Sequence, residues 1–456
     1  MQDLEARLFA LEDRLAASEA TVGAQRELLK GAHIQTGTAG YMGETSIWDR
    51  VELGGHMAAS YLYSFNNPDQ DDRFSSQPFN QFNLSHNTFA LDAVKFELGL
   101  PTNGPGTAGF QFDFLFGENN HIICGDPDVI DVYDVGDSPI VDASTGFAYA
   151  GEDGDSGVCV QQAYMSYDMS GVVFQFGKWE TLLGAEVIDS PENYHIQHGV
   201  MFTWAIPLVH TGLLAKGNFT ENIGWAAGFT NGFNNVLDSG DSKGVLGQLS
   251  WESGPFFTSL SGYYGSEEWK VRGLEGGETV ARGSADEDLL ILDLVATFAA
   301  TDNLNLWANL DWAQLDRSTN TSLVGPGGTS SPFGSSDDTD PWWWAIGGGV
   351  AWDFTERAGV AVRGEYFHDE EGARVGLGQD DTDYITATAT FKYMLTERLM
   401  ARAEYRWDKI DTEDDNLRPF PKDDPFAIGA IGSSGLERGG NDTNNVAIVE
   451  VSYVFD

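Results

Sequence analysis

Three histidines crowd one stretch of the chain: His195 and His198 stand three residues apart, and His210 follows close behind. Neutral imidazoles at such a spacing suit a transition metal, so metal chemistry is the first to weigh. No consistent set of carboxylate or cysteine ligands accompanies them. Histidines hydrogen-bonded inside a folded segment are therefore the better expectation, and no metal is assigned. Acidic pairs such as Asp337-Asp338 and Asp380-Asp381 suit Ca²⁺ by charge, yet none has EF-hand spacing. Solvated loops are the default for them, and no cofactor is assigned. Serine, histidine and aspartate are all present, as a hydrolase requires, but no catalytic residue is assigned and no enzyme is expected.

The histidines belong to a longer segment, Lys178 to Gly212, that keeps neither a two-residue nor a sustained 3.6-residue period. It is too apolar to wave in water, with Leu182, Leu183, Val187, Val200, Met201, Phe202, Trp204 and Ile206. It is too acidic for lipid, with Glu180, Glu186, Asp189 and Glu192. Such a segment calls for a half-wet cavity walled by protein.

The flanking chain can build that wall. In 50–66 the odd positions Val51, Leu53, Met57, Ala59, Tyr61, Tyr63 and Phe65 are apolar, and Glu52, His56, Ser60 and Ser64 fall between them. One dry and one polar face over that length fits a lipid-facing barrel strand with a wet lumen side. The pattern recurs at Thr107–Gly117, Asp381–Leu395, Leu399–Asp408 and Asn444–Asp456. Short turns read Thr220-Glu221-Asn222, Thr301-Asp302-Asn303, Thr355-Glu356-Arg357 and Thr396-Glu397-Arg398. Long, acidic, glycine-rich connections alternate with them, including 67–86, 118–159, 180–209, 267–286, 318–340 and 409–444. Alternating short and long connections mark an outer-membrane barrel of about sixteen antiparallel strands over 50–456. Both ends of that domain fall on the short-turn side. Trp342-Trp343-Trp344 and Trp407 are expected in an aromatic girdle.

The polar faces of the late strands place Arg363, Lys392, Arg402 and Arg406 on the inner wall, with Glu365 and Glu404 interleaved. In a ring of about sixteen strands, these lie opposite the strands that carry the 180–209 connection. Glu186, Asp189 and Glu192 would then face a basic wall across a constriction, in a transverse field that filters solutes by charge. The alternative is that the arginines pair with the neighbouring glutamates.

Composition agrees with the barrel and excludes other classes. The 456 residues carry 70 Asp plus Glu against 25 Lys plus Arg, a formal charge of −45, which excludes a nucleic-acid footprint. No apolar run reaches the length of a transmembrane helix. Cys124 and Cys159 share one connection, which suggests a disulfide in an oxidising compartment, against two unpaired thiols. Ahead of the barrel, residues 1–30 carry a heptad stripe: Leu4, Leu8, Leu11, Leu15, Ser18, Val22, Gln25 and Leu29. That narrow seam predicts an α-helical coiled coil that needs self-association, with 31–49 as linker. An amphipathic helix packed on its own domain is the alternative.

The run Leu182–Asp189, LLGAEVID, followed by FTWAIPLVHTG at 202–212, resembles the OmpL-like β-barrel porins. Strand layout supports the likeness across the barrel. The N-terminal coil likewise resembles oligomerising extensions of some outer-membrane porins, and Phe455 near the end resembles the C-terminal signature of bacterial barrels. The resemblance implies a homotrimer among outer-membrane lipids, and because both barrel ends fall on the short-turn side the coil is expected in the periplasm. It also implies a third loop that folds inward over a water-filled channel for small hydrophilic solutes and ions. A structural tether, its coil bound to a periplasmic or cell-wall partner, is the competing reading. Nucleic acid is not an expected partner.

Overall fold

The computed structural model describes residues 50–66, 80, 82–83, 86–120, 123, 130–131, 141–142, 147–148, 159–236, 242–275, 278–317, 340–370, 374, 381–412 and 442–455. The heptad residues Leu4 to Leu29, the 31–49 linker, Cys124, Asp337, Asp338 and Asp380 lie outside them.

Sixteen long strands are present among the described residues: Glu52–Ser64 (β1), Thr88–Leu100 (β2), Ala108–Phe116 (β3), Cys159–Met169 (β4), Val172–Glu180 (β5), Val209–Asn218 (β6), Ile223–Thr230 (β7) and Gly244–Ser253 (β8). They continue as Phe256–Glu275 (β9), Glu278–Thr301 (β10), Leu304–Arg317 (β11), Trp342–Asp353 (β12), Ala358–Asp369 (β13), Thr382–Met394 (β14), Leu399–Thr412 (β15) and Thr443–Phe455 (β16). Each pairs antiparallel with the next, and β16 returns to β1 from Gly55↔Phe455 to Ser64↔Val446. The barrel is closed, so none of its sixteen strands is an edge with a row of unpaired backbone groups. No helix is long and apolar enough to cross a membrane among the described residues.

The two-residue alternation does what it predicts. Met57, Phe96, Met165, Phe229, Leu260, Ile346, Val362 and Tyr405 point outward and are exposed, whereas Ser60, Asp113, Asp293, Asp311, Arg363 and Glu404 are buried. The short turns close on their threonines. Thr355 Oγ1 accepts from the backbone N–H of Arg357 and Ala358, and Thr396 Oγ1 accepts from Arg398 and Leu399. Thr220 does the same for Asn222 and Ile223, so one hydroxyl replaces a missing ladder partner in each turn. Between β4 and β5, Ser170 and Gly171 both have positive φ, as a two-residue hairpin twisted with its strands requires.

Two features depart from the sequence reading. The 267–286 stretch is a continuous hairpin, in which β9 and β10 pair out to Glu275↔Glu278. The strand pairing there continues, with one irregularity at Val271/Arg272, through a dense run of charges that the sequence reading took for a loop. The lumen is also not polar throughout. Leu246, Tyr263, Leu289, Ile291, Ala313, Leu315, Trp343, Phe367, Tyr384 and Ile410 form an apolar band at the long-connection end. Something apolar must cover that band.

Candidate functional site

The cover is the third long connection. Strands β5, β6 and β7 are only 9, 10 and 8 residues long. The chain therefore leaves the wall between β5 and β6 part-way along the bore, and residues 181–208 run through the interior. This segment contains a 3₁₀ turn at Ser190–Glu192 and a π turn at Met201–Ala205. Leu183, Ile188, Val200, Met201, Phe202, Trp204, Ile206 and Leu208 join the apolar band in one cluster. Every residue from His195 to Ala205 is buried.

A loop without a ladder must satisfy its backbone on side chains, and the wall supplies them. Glu404 accepts the N–H groups of Ile196 and Gln197 at 2.7 and 3.0 Å. Glu365 accepts those of Val200 and Met201 at 3.1 and 3.4 Å. Arg402 donates to the carbonyls of Asn193 and His195 at 2.9 and 3.1 Å, and Arg406 to that of His198 at 2.7 Å. Arg363 donates to the Gln197 carbonyl at 3.0 Å and pairs with Glu186. Further round, Trp343 Nε1 donates to the Ala205 carbonyl and Arg374 to that of Trp204. Asn309 accepts from Ala185, and Gln248 donates to the Leu182 carbonyl. Gly199 is the tight point: a Cβ there would sit 2.0 Å from Glu365 Oε1.

The arginines are paired as well as bonded. Arg363 lies 3.1 Å from Glu365, Arg402 2.6 Å from Glu450, and Arg406 2.6 Å from Asp408. Expected loop acids part company here. Glu186 meets Arg363, Asp189 meets Lys95 on β2, and Glu192 is exposed. Burial pushes the Glu186 carboxyl up and Arg363 pulls it back. Burial and Asp189 push Glu192 up. Lys392 is set apart near the short-turn end, 2.8 Å from Asp353. The loop histidines are structural: His195 Nδ1 lies 2.7 Å from Thr390 Oγ1, and His198 Nε2 donates to the Val187 carbonyl at 2.8 Å. Burial depresses His195 to about 2 and His198 to about 4.

Sequence reasoning missed the second polar group. Lys95 is nearly enclosed, with Glu97 at 2.9 Å, Asp113 at 3.6 Å, Glu180 at 3.9 Å and Asp189 in contact. The signal in the sequence is a lone lysine between apolar Val94 and Phe96 on β2. The G-x-S-x-G spacing at Gly240–Gly244 leads into strand β8, not into the helix that a nucleophile elbow needs. Cys159 is buried at the start of β4 and disulfide-bonded.

The family described as "Putative beta-barrel porin-2, OmpL-like" matches residues 50–433. No curated protein matches the chain in sequence. Among solved structures, OmpT of Vibrio cholerae in its trimer form superposes with a TM-score of 0.53 at 13% identity, over 89% of this chain and 99% of that one. The outer membrane channel DcaP of Acinetobacter baumannii gives 0.51 at 12% identity, over 89% and 97%. An anion-selective porin from Comamonas acidovorans gives 0.51 at 11% identity, over 89% and 99%. At such identities the likeness is one of fold.

Proposed function

The chain belongs to the OmpL-like beta-barrel porin-2 family, and from that membership we propose that it forms an outer-membrane channel for small hydrophilic solutes and ions, narrowed by its third loop. The observation that carries this reading is a closed barrel with an inward loop latched by side chains to its wall. A latch of buried ion pairs and charge-assisted bonds holds a constriction at fixed width, as passive sieving requires. The short-turn end faces the periplasm, and the coil at 1–30 gathers three barrels there. Cys124 bridges Cys159.

The charge filter in this proposal lies away from the arginine wall. Arg363, Arg402 and Arg406 each hold a carboxylate, so they present little unbalanced charge to a solute. Glu192 is exposed and Glu97, paired with Lys95, is partly exposed beside it, and they make the narrow passage acidic. Planar-bilayer recording tests the channel: stepwise conductance is expected, and its absence from correctly folded protein would remove the proposal. Uptake of neutral solutes of graded size into liposomes then sets the sieve.

The dry packing of the third loop over β8–β15 favours a second reading, a structural tether whose coil binds a periplasmic or cell-wall partner. A folded barrel that does not conduct but binds cell-wall material through 1–30 would decide for it.

A further inference from the structure

One oxygen from each of Glu97, Asp189 and Glu192 lies within 4.8 Å of the other two. That is about the span across a Ca²⁺ ion whose oxygen ligands stand 2.3–2.6 Å away. Glu97 comes from the β2 wall, whereas Asp189 caps the 3₁₀ turn of the third loop and Glu192 is its last residue. Lys95 is the one ammonium among them, and it contacts Glu97, Asp113, Glu180 and Asp189. With Glu192 that makes five carboxylates against one cation, a formal excess of four negative charges. Lys95 uses one oxygen of Glu97 and one of Asp189 at close range, and each carboxylate keeps a second.

His56 is the independent sign of a missing ligand. It is 4% exposed, and its Nε2 has no hydrogen-bond partner among the described residues. That nitrogen points into the cluster, 3.8 Å from Asp189 Oδ1. A buried ring nitrogen aimed at ligating carboxylates, too far for a direct bond, is placed to meet a metal-bound water. The Glu97 side chain is 32% exposed and Glu192 is open, which leaves room for the waters that fill a hard cation's shell.

We propose that Glu97, Asp189 and Glu192 bind a divalent cation of the Ca²⁺ class, which ties the third loop to strand β2. All three donors are hard carboxylate oxygens, the chemistry that such a cation takes. The ion offsets part of the acidic excess beside Lys95 and fixes the β2-facing side of the 3₁₀ turn, whose other side Arg402 holds through Ser190 and Asn193. The proposal rests on the inward loop and not on conduction.

The test uses the full chain in detergent, stripped with EDTA and titrated with CaCl₂, with bound ⁴⁵Ca and the thermal midpoint as readouts. One saturable site and a rise in midpoint are expected. E97Q/E192Q should weaken that site at least tenfold and abolish the rise, while D337N/D338N, in an external connection, should leave both intact. If the double variant does not fold, E192Q alone, at an exposed position, should weaken binding at least threefold. Unchanged affinity in the folded variants, or no saturable site in the parent, overturns the proposal. Conductance is recorded separately. Its loss with Ca²⁺ binding intact counts against the channel alone.

Discussion

At the scale of the residue, the third loop is held by charges that have left water. Such pairs are weak evidence for stability as a whole, but breaking one partner is costly because the other stays buried and unpaired. Glu186→Gln removes one carboxylate from Arg363, which retains Glu365. Arg363→Ala strands both acids. The arginine change should therefore cost about 3–5 kcal/mol and the glutamate change much less, read as thermal midpoints in detergent. Equal losses would mean that Arg363 and Glu365 do not form a unit. His198 carries part of the pH dependence, with His195 in the same loop acting in the same direction. The folded value of His198 is depressed to about 4 from 6.5, so the unfolded chain takes up the proton first on acidification. Its contribution is complete above pH 6.5 and is lost as pH falls towards the folded value, by about 2 kcal/mol between pH 6.5 and 5. Glu186, pushed up by burial, acts with the opposite sign over part of that window. The test is thus a difference. His198→Asn should show a smaller loss of midpoint between pH 6.5 and 5 than the parent, and an equal loss would place the proton elsewhere.

At the scale of the element, the loop is a plug of apolar side chains with a polar rim, not a strand out of place. Its period is irregular because its contacts come from β2, β4 and β8–β16 in turn, each at its own height. Trp204 is the largest of its fully buried side chains. Trp204→Ala should cost about 3–5 kcal/mol through the cavity it leaves. The barrel strands keep their own ladder, so the loop should loosen before the wall. Faster proteolysis within 181–208, with barrel circular dichroism retained, is the expected result. A loop as resistant as the parent's would show that Trp204 does not hold it.

At the scale of the whole molecule, the acidic balance and the self-paired arginines point the same way. A modest cation preference is expected from reversal potentials across a KCl gradient at low salt. It should fade as the screening length falls to about 3 Å near 1 M. Anion selectivity at low salt would mean that the arginine latch opens to the solute. Removal of residues 1–30 should weaken the proposed trimer and leave the barrel folded. A truncated protein that keeps its trimer mass and thermal midpoint would take the clamp away from the coil.

The wall was legible in the sequence because a strand's period is local. Tyr61, Phe391 and Val449 declare a lipid face within a few residues of themselves, and a threonine turn such as Thr396-Glu397-Arg398 closes on its own backbone. The burial of the third loop was legible too, since neither water nor lipid suits Trp204 and Glu186 together. What no period encodes is which side chains meet across that bore. Glu404 lies 208 residues from Ile196, and Lys95 lies 94 from Asp189. The direct contact of Arg363 with Glu186, the apolar band at the long-connection end and the acids gathered round Lys95 all depend on strand tilt, register and loop path. Closure of the ring decides these, because it fixes every strand's height against every other at once.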